Sequence, residues 1–191
     1  MGILILGLVL FLGVHSTRII ADSWRTAMIE RLGAGTWKGL YTLLSLAGFA
    51  LVVWGFGLAR QQPAALWSPP FFMRHVAWLL TLIAFVLLAA TYVPRNGIKA
   101  RLHHPMVLGV AFWALAHLLA NGNLAHAVLF GSFLVWALMS FHAARQRDRA
   151  ARTLYPAGTA SGTAVAVLAG VVAWAVFTFW AHGVLIGIRP V

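Results

Sequence analysis

Cysteine is absent from the 191 residues, which excludes disulfides, thiolate metal sites and cysteine nucleophiles together. If a metal or haem is bound, histidine is then the natural ligand. Acidic residues are nearly absent: Asp22, Glu30 and Asp148 stand against 14 Lys and Arg, for a formal net charge of +11. Charged residues make up 9% of the chain, where a soluble domain carries about a quarter. In a soluble protein such a balance points to nucleic acid. Here the basic residues sit in short loops beside apolar runs and none forms a separate basic segment, so nucleic-acid binding is excluded.

Apolar residues take up what charge leaves, at 62% of the chain. The reading is an all-α, polytopic transmembrane helical bundle in one integral-membrane domain over residues 1–191, with no composition shift to mark a second. Six spans of about the roughly 20 residues that a hydrocarbon core needs are expected near Met1–Ile20, Leu40–Ala59, Val76–Val93, Pro105–Ala120, Leu124–Phe141 and Thr163–Ile188. Pro105–Ala120 is the shortest and leaves five spans as an alternative count. The apolar start MGILILGLVLFLGV lacks a basic flank and a cleavage signature, so it is read as a retained first span. The loop DSWRTAMIERLGAGTWKG spaces Trp24, Met28 and Leu32 as one helical face, an interfacial helix stopped by Gly33 and Gly35.

Eleven Lys and Arg fall in the loops after spans one, three and five, and only Arg60, Arg74 and Arg189 on the other side. By the positive-inside rule, both termini lie outside the cytoplasm, in the inner membrane of a bacterium, with membrane lipid as the first partner. Asn121-Gly122-Asn123 makes spans four and five an antiparallel hairpin, its Asn side chains and Gly122 capping the helix ends.

Depth sorts the eight histidines. His75, His126, His142 and His182 fall near span ends, where an imidazole reaches water, and His103 is a loop residue. His15 lies inside the first span, with Arg18, Asp22 and Arg25 following on the same helical face. Either Arg18 snorkels and His15 bonds a neighbouring helix, or the face is a cofactor wall, with His15 an axial ligand and the arginines paired to carboxylates such as haem propionates. His117 stands on span four with Trp113 and Asn121 four residues to either side. It is either an interhelical hydrogen-bonding group or a second ligand, and two imidazoles in separate spans suit a b-type haem in an apolar cleft. His104, before Pro105, either caps that helix or meets a ligand at the rim.

The segments HSTRIIAD, RLGAGTWKGLYTLLSLAGFALVVWG, HPMVLGVAFWALAHLLANGN and LFGSFLVWAL resemble the NnrU family through essentially the whole chain, and the pattern HP-x(3)-G-x(3)-W-x(3)-H-x(3)-NG carries the likeness. That family is linked to denitrification and nitric-oxide metabolism and includes the plant 15-cis-zeta-carotene isomerase. The resemblance implies haem b held between spans one and four by His15 and His117, with Arg18, Arg25, Trp113 and Asn121 around it. It further implies a redox or nitrogen-oxide role, or the isomerisation of an apolar polyene such as a carotenoid. Two departures stand out. Ala114 occupies the place of the isomerase's cysteine, and counting along the spans puts His15 and His117 about 10–15 Å apart in depth, which makes His104 the substitute ligand. A membrane methyltransferase of the isoprenylcysteine type shares the HP-x(3)-G turn, but its Glu- and Tyr-rich C-terminal segment is missing. A non-enzymatic accessory factor is the third class.

Overall fold

The computed structural model describes residues 1–190, and 81% of the chain is helical. Chain order is α1 (Gly2–Ile20), α2 (Asp22–Leu32), α3 (Ala34–Ala59), α4 (Met73–Tyr92), α5 (Gly97–Leu102), α6 (Pro105–Ala120), α7 (Leu124–Ala151), α8 (Ala160–Val176), a π-helical turn (Phe177–Ala181) and α9 (His182–Ile186). Five helical stretches are long and apolar enough to cross a membrane: α1, α3, α4, α7, and α8 continued through α9. The sixth apolar helix, α6, has 16 residues and so reaches about 24 Å, short of a hydrocarbon core of about 30 Å.

The interfacial helix is present as α2, ended by Gly33 at φ 79°. Gly35 does not help to stop it; it lies in the first turn of α3, which starts six residues before the expected Leu40. Likewise α7 runs ten residues past Phe141. The apolar run ends at the rim, whereas HAARQRDRAA, built of good helix formers, carries the helix on into the polar region.

Neighbouring spans follow the order α3, α1, α7, α6, α4, α8. Small residues set the closest approaches. A Cβ on Gly7 would stand 2.6 Å from the Val52 nitrogen, one on Gly48 2.7 Å from that of Phe11, and one on Gly55 2.3 Å from that of Leu4. These three contacts align α1 and α3 antiparallel over two turns and more, backbone against backbone, the usual basis of helix packing where lipid replaces water.

At the end carrying few Lys and Arg, the α6–α7 turn is covered rather than free. The Gly122 carbonyl accepts from the amides of Leu66 and Trp67 at 2.8 and 3.1 Å, and a Cβ on Gly122 would stand 1.8 Å from the Trp67 carbonyl oxygen. Its asparagines cap as expected: Asn121 Nδ2 donates to the His117 carbonyl, and Asn123 Oδ1 accepts from the His126 amide.

At the basic end, Asn96 is 1% exposed and joins α4 to α5. Its Nδ2 donates to the carbonyls of Ala90 and Val93 at 2.8 and 2.6 Å, and its Oδ1 accepts from the Lys99 amide at 2.7 Å. Asn96→Ala strands two carbonyls and an amide. It is expected to lower stability by about 2–3 kcal/mol, read as an earlier thermal transition of the purified protein in detergent.

Candidate functional site

His15 and His117 are held alike. Nδ1 of each donates to the carbonyl four residues earlier, His15 to Phe11 at 2.7 Å and His117 to Trp113 at 2.8 Å. Those carbonyls accept only, so in each neutral ring Nδ1 carries the proton and Nε2 is bare, the tautomer that a metal-ligating histidine presents.

The two rings stand at different levels. His117 stacks on Phe130 at 4.4 Å, whereas His15 meets Trp136 edge-on at 6.1 Å. Phe130 and Trp136 are six residues apart on α7, about 9 Å along its axis. Phe11, Phe133 and Trp113 form a continuous run of tilted and edge-to-face aromatic contacts between them, with centroids 5.9 and 5.5 Å apart. The two rings therefore meet α7 about two turns apart, His15 at Trp136 and His117 at Phe130. Ala114, fully buried, packs into the core with Leu8, Phe130 and Trp113.

What converges on His15 is unforeseen in the sequence. The register that sets Gly48 on Phe11 and Gly55 on Leu4 places Ser45 opposite the next turn of α1, and the Tyr41 ring lies 5.3 Å from the His15 ring. Two buried side-chain polar atoms have no hydrogen-bond partner among the described residues, Ser45 Oγ and Trp136 Nε1. Of the two, Trp136 meets the His15 ring. Buried polar atoms are nearly always paired.

Alongside runs a groove of about 610 Å³ between α1 and α7, lined by Leu8, Leu12, Gly13, Gly131, Trp136 and Met139 among others. A Cβ at Gly13 or Gly131 would meet nothing within 4 Å, so the absence of side chains there keeps the groove open. Ser16 and Ser132 also line it, but each hydroxyl donates to its own helix, at Leu12 and Val128. The groove is therefore apolar along its length, and the one unpaired buried polar atom among its lining residues is Trp136 Nε1.

Arg18 lies one turn from His15 toward the basic end and is exposed. Its carbonyl accepts from Arg147 at 3.0 Å. Arg25 pairs with Asp22 at 3.8 Å.

His104 belongs to a separate cluster. It does not cap α6 with its side chain; its Nε2 pairs with Asp148 at 2.8 Å instead. Asp148 also accepts from the Tyr155 hydroxyl at 3.0 Å and faces His103 at 3.5 Å. His103, strained at φ 66°, stacks on Tyr155 at 3.9 Å and takes a hydrogen bond from Arg145. One carboxylate thus clasps the α5–α6 turn, the end of α7 and the α7–α8 linker. Burial, and next the acceptor Asp148, hold the Tyr155 phenol above its ordinary pKa.

The other histidines are occupied locally. His75 packs on Phe71 and Trp78, His126 bonds Asn123, His142 bonds Gln146 and His182 bonds the Ile188 carbonyl. Among the described residues no three His, Asp or Glu side chains gather to hold a metal ion.

No curated protein and no solved structure matches the chain. The pattern of the family described as NnrU protein matches residues 3–190, and with a helical bundle of the expected kind the chain belongs to the NnrU family.

Proposed function

We propose that this NnrU protein is a membrane redox protein whose working site centres on His15, and that it serves nitrogen-oxide metabolism from the inner membrane of a bacterium. The single observation behind the site is the contact of the His15 ring, its Nε2 bare, with Trp136, whose indole N–H is buried and unpaired among the described residues and whose side chain lines an apolar groove. Such a site takes an apolar molecule by one polar end, with access from the lipid. The Lys/Arg distribution supports a basic face toward the cytoplasm and both termini opposite.

Haem b is the second reading, favoured by the groove and by Arg18 one turn below His15. His15 would hold the iron and Arg18 would pair with a propionate. When bound, haem would supply one-electron chemistry; the protein would exclude water and orient the imidazole through the Phe11 carbonyl.

The test is an absorption spectrum of the purified protein, oxidised and dithionite-reduced, together with mass analysis of its organic extract. The expected result is a co-purifying apolar molecule or a Soret band that is lost in His15→Ala and kept in His117→Ala. Gly131→Leu, whose Cβ would meet nothing within 4 Å, places a side chain in the groove and is expected to lower occupancy as well. An identical bound complement in all four proteins removes His15 as the working site.

A further inference from the structure

We propose that the segment joining α3 to α4, residues 60–72, is a lipid-docking surface rather than an aqueous loop. It lies in the leaflet at the end carrying few Lys and Arg, with Leu66, Trp67, Phe71 and Phe72 set among the phospholipid chains. This assignment is independent of the reading of His15 as the working site.

Composition makes the segment fit for lipid. Between Arg60 and Arg74 there is no charged residue, and after Gln61 and Gln62 the one polar side chain is Ser68. Leu66, Trp67, Phe71 and Phe72 are nonetheless 53, 42, 69 and 57% exposed. Four large apolar side chains uncovered on one short segment mark a contact with a membrane or with another protein. Pro63, Pro69 and Pro70 bring no backbone N–H, so fewer donors are left for lipid to strand.

Depth decides between membrane and protein. At the basic end, where α6 starts, His104 is paired with Asp148. The 16 residues of α6 then cross about 24 Å of a core of about 30 Å. The apolar part of α7, from Leu124 to Phe141, returns over about 27 Å. The turn between them therefore lies no further out than the edge of the hydrocarbon. Backbone bonds fix the segment to that turn. The amides of Leu66 and Trp67 donate to the Gly122 carbonyl at 2.8 and 3.1 Å, and the Leu124 amide donates to the Ala64 carbonyl at 2.9 Å. Such partners are about 4.8 Å apart at most, so Leu66 and Trp67 lie about 30 Å from the basic rim. That is the boundary layer in which tryptophan concentrates. Pairing the turn's polar groups within the protein is also what a layer poor in water requires.

The flanking arginines mark the headgroup level. The Arg74 guanidinium lies 3.6 Å from the centre of the Phe71 ring, and that of Arg60 lies 5.3 Å from the centre of Phe56. Each charge thus rests on an aromatic face while its apolar stem covers hydrocarbon, the posture of a basic side chain at a membrane rim.

The absence of cysteine supplies the experiment, because each single-cysteine variant takes one spin label. Full-length Leu66→Cys, Phe71→Cys and Phe72→Cys are compared in vesicles of phosphatidylethanolamine and phosphatidylglycerol. Leu79→Cys is the lipid reference and Arg149→Cys the water reference; all five positions are exposed, so the labels leave the packing intact. Relaxation by oxygen reports lipid, and relaxation by a neutral nickel chelate reports water. Labels at 66, 71 and 72 are expected to resemble Leu79, with nickel access at least about fivefold below that at Arg149, as a polar complex is excluded from an apolar layer. A second readout needs no label: the fluorescence lost in Trp67→Phe is expected to be quenched by brominated phospholipid and spared by iodide. Nickel access at the three positions equal to that at Arg149 overturns the assignment and puts the segment in water. Low access to both relaxants overturns it as well, by showing the side chains covered by protein.

Discussion

Gly55→Leu is expected to destroy the packing of α1 on α3. Even the first side-chain atom would stand 2.3 Å from the Leu4 nitrogen and 2.7 Å from the carbonyl carbon of Ile3. Both are backbone atoms inside a helix and neither can rotate away. The two helices must separate by more than an ångström over several turns, which also opens the contacts at Gly48 and Gly7. Overpacking costs typically 1–3 kcal/mol and more where the backbone itself must move, so about 3 kcal/mol is expected here. That is a large part of the margin of a small domain. Thermal unfolding and size-exclusion profiles in detergent measure it, and an unshifted transition would contradict the register described. Gly57→Leu provides the internal comparison. It lies two residues away, a Cβ there meets nothing within 4 Å, and the change is expected to stay within about 0.5 kcal/mol. His15 is positioned by the same register, so Gly55→Leu should also abolish binding at that site.

Asp148→Ala is expected to release the clasp at the basic end. The carboxylate accepts from Tyr155 and pairs with His104, while His103 faces it and Arg145 stands beside His103. Removing it strips the Tyr155 hydroxyl and the His104 ring of their partner. It also deletes one of the chain's three acids from a region crowded with arginines. Its side chain is 15% exposed, so water and salt screen part of the effect, and a loss of about 2 kcal/mol is expected. The local consequence is larger than the global one. The linker after α7, with Arg152 in a left-handed turn at φ 49°, loses its anchor, and limited trypsin digestion should cut after Arg152 much faster than in the unaltered protein. Tyr155→Phe removes one of the bonds and should give an intermediate rate. Equal cleavage of all three proteins would show that the linker is held by something else.

The two expectations differ in how far the sequence foretold them. The contact at Gly55 rests on a glycine in an apolar helix, which hydropathy reads as one more small residue. The clasp rests on Asp148, visible as a rare acid, but nothing in the spacing joins it to His104, 44 residues earlier. His15 and His117 were both singled out because an imidazole in lipid is costly unless it is used. Counting 1.5 Å per residue from the span ends placed them at different depths, and in the structure their rings meet α7 six residues apart, at Trp136 and Phe130. Trp136, Ser45 and Tyr41 escaped notice because Trp, Ser and Tyr are ordinary in membrane helices. Only the failure of two of them to find a partner sets them apart, and that failure is a property of packed neighbours.

The sequence by itself determined the class: helices, their number to within one, the covered hairpin's tight turn and the side that carries the basic residues. Lipid enforces these locally, since each span must satisfy its own backbone hydrogen bonds and keep its charges at the rim. Tertiary structure decided which spans touch, which imidazole meets a groove-lining tryptophan and which polar atoms are left without partners. Those depend on side chains far apart in the chain meeting at distances of a few ångströms, and in lipid, where hydrophobicity no longer sorts one helix face from another, close packing alone selects them.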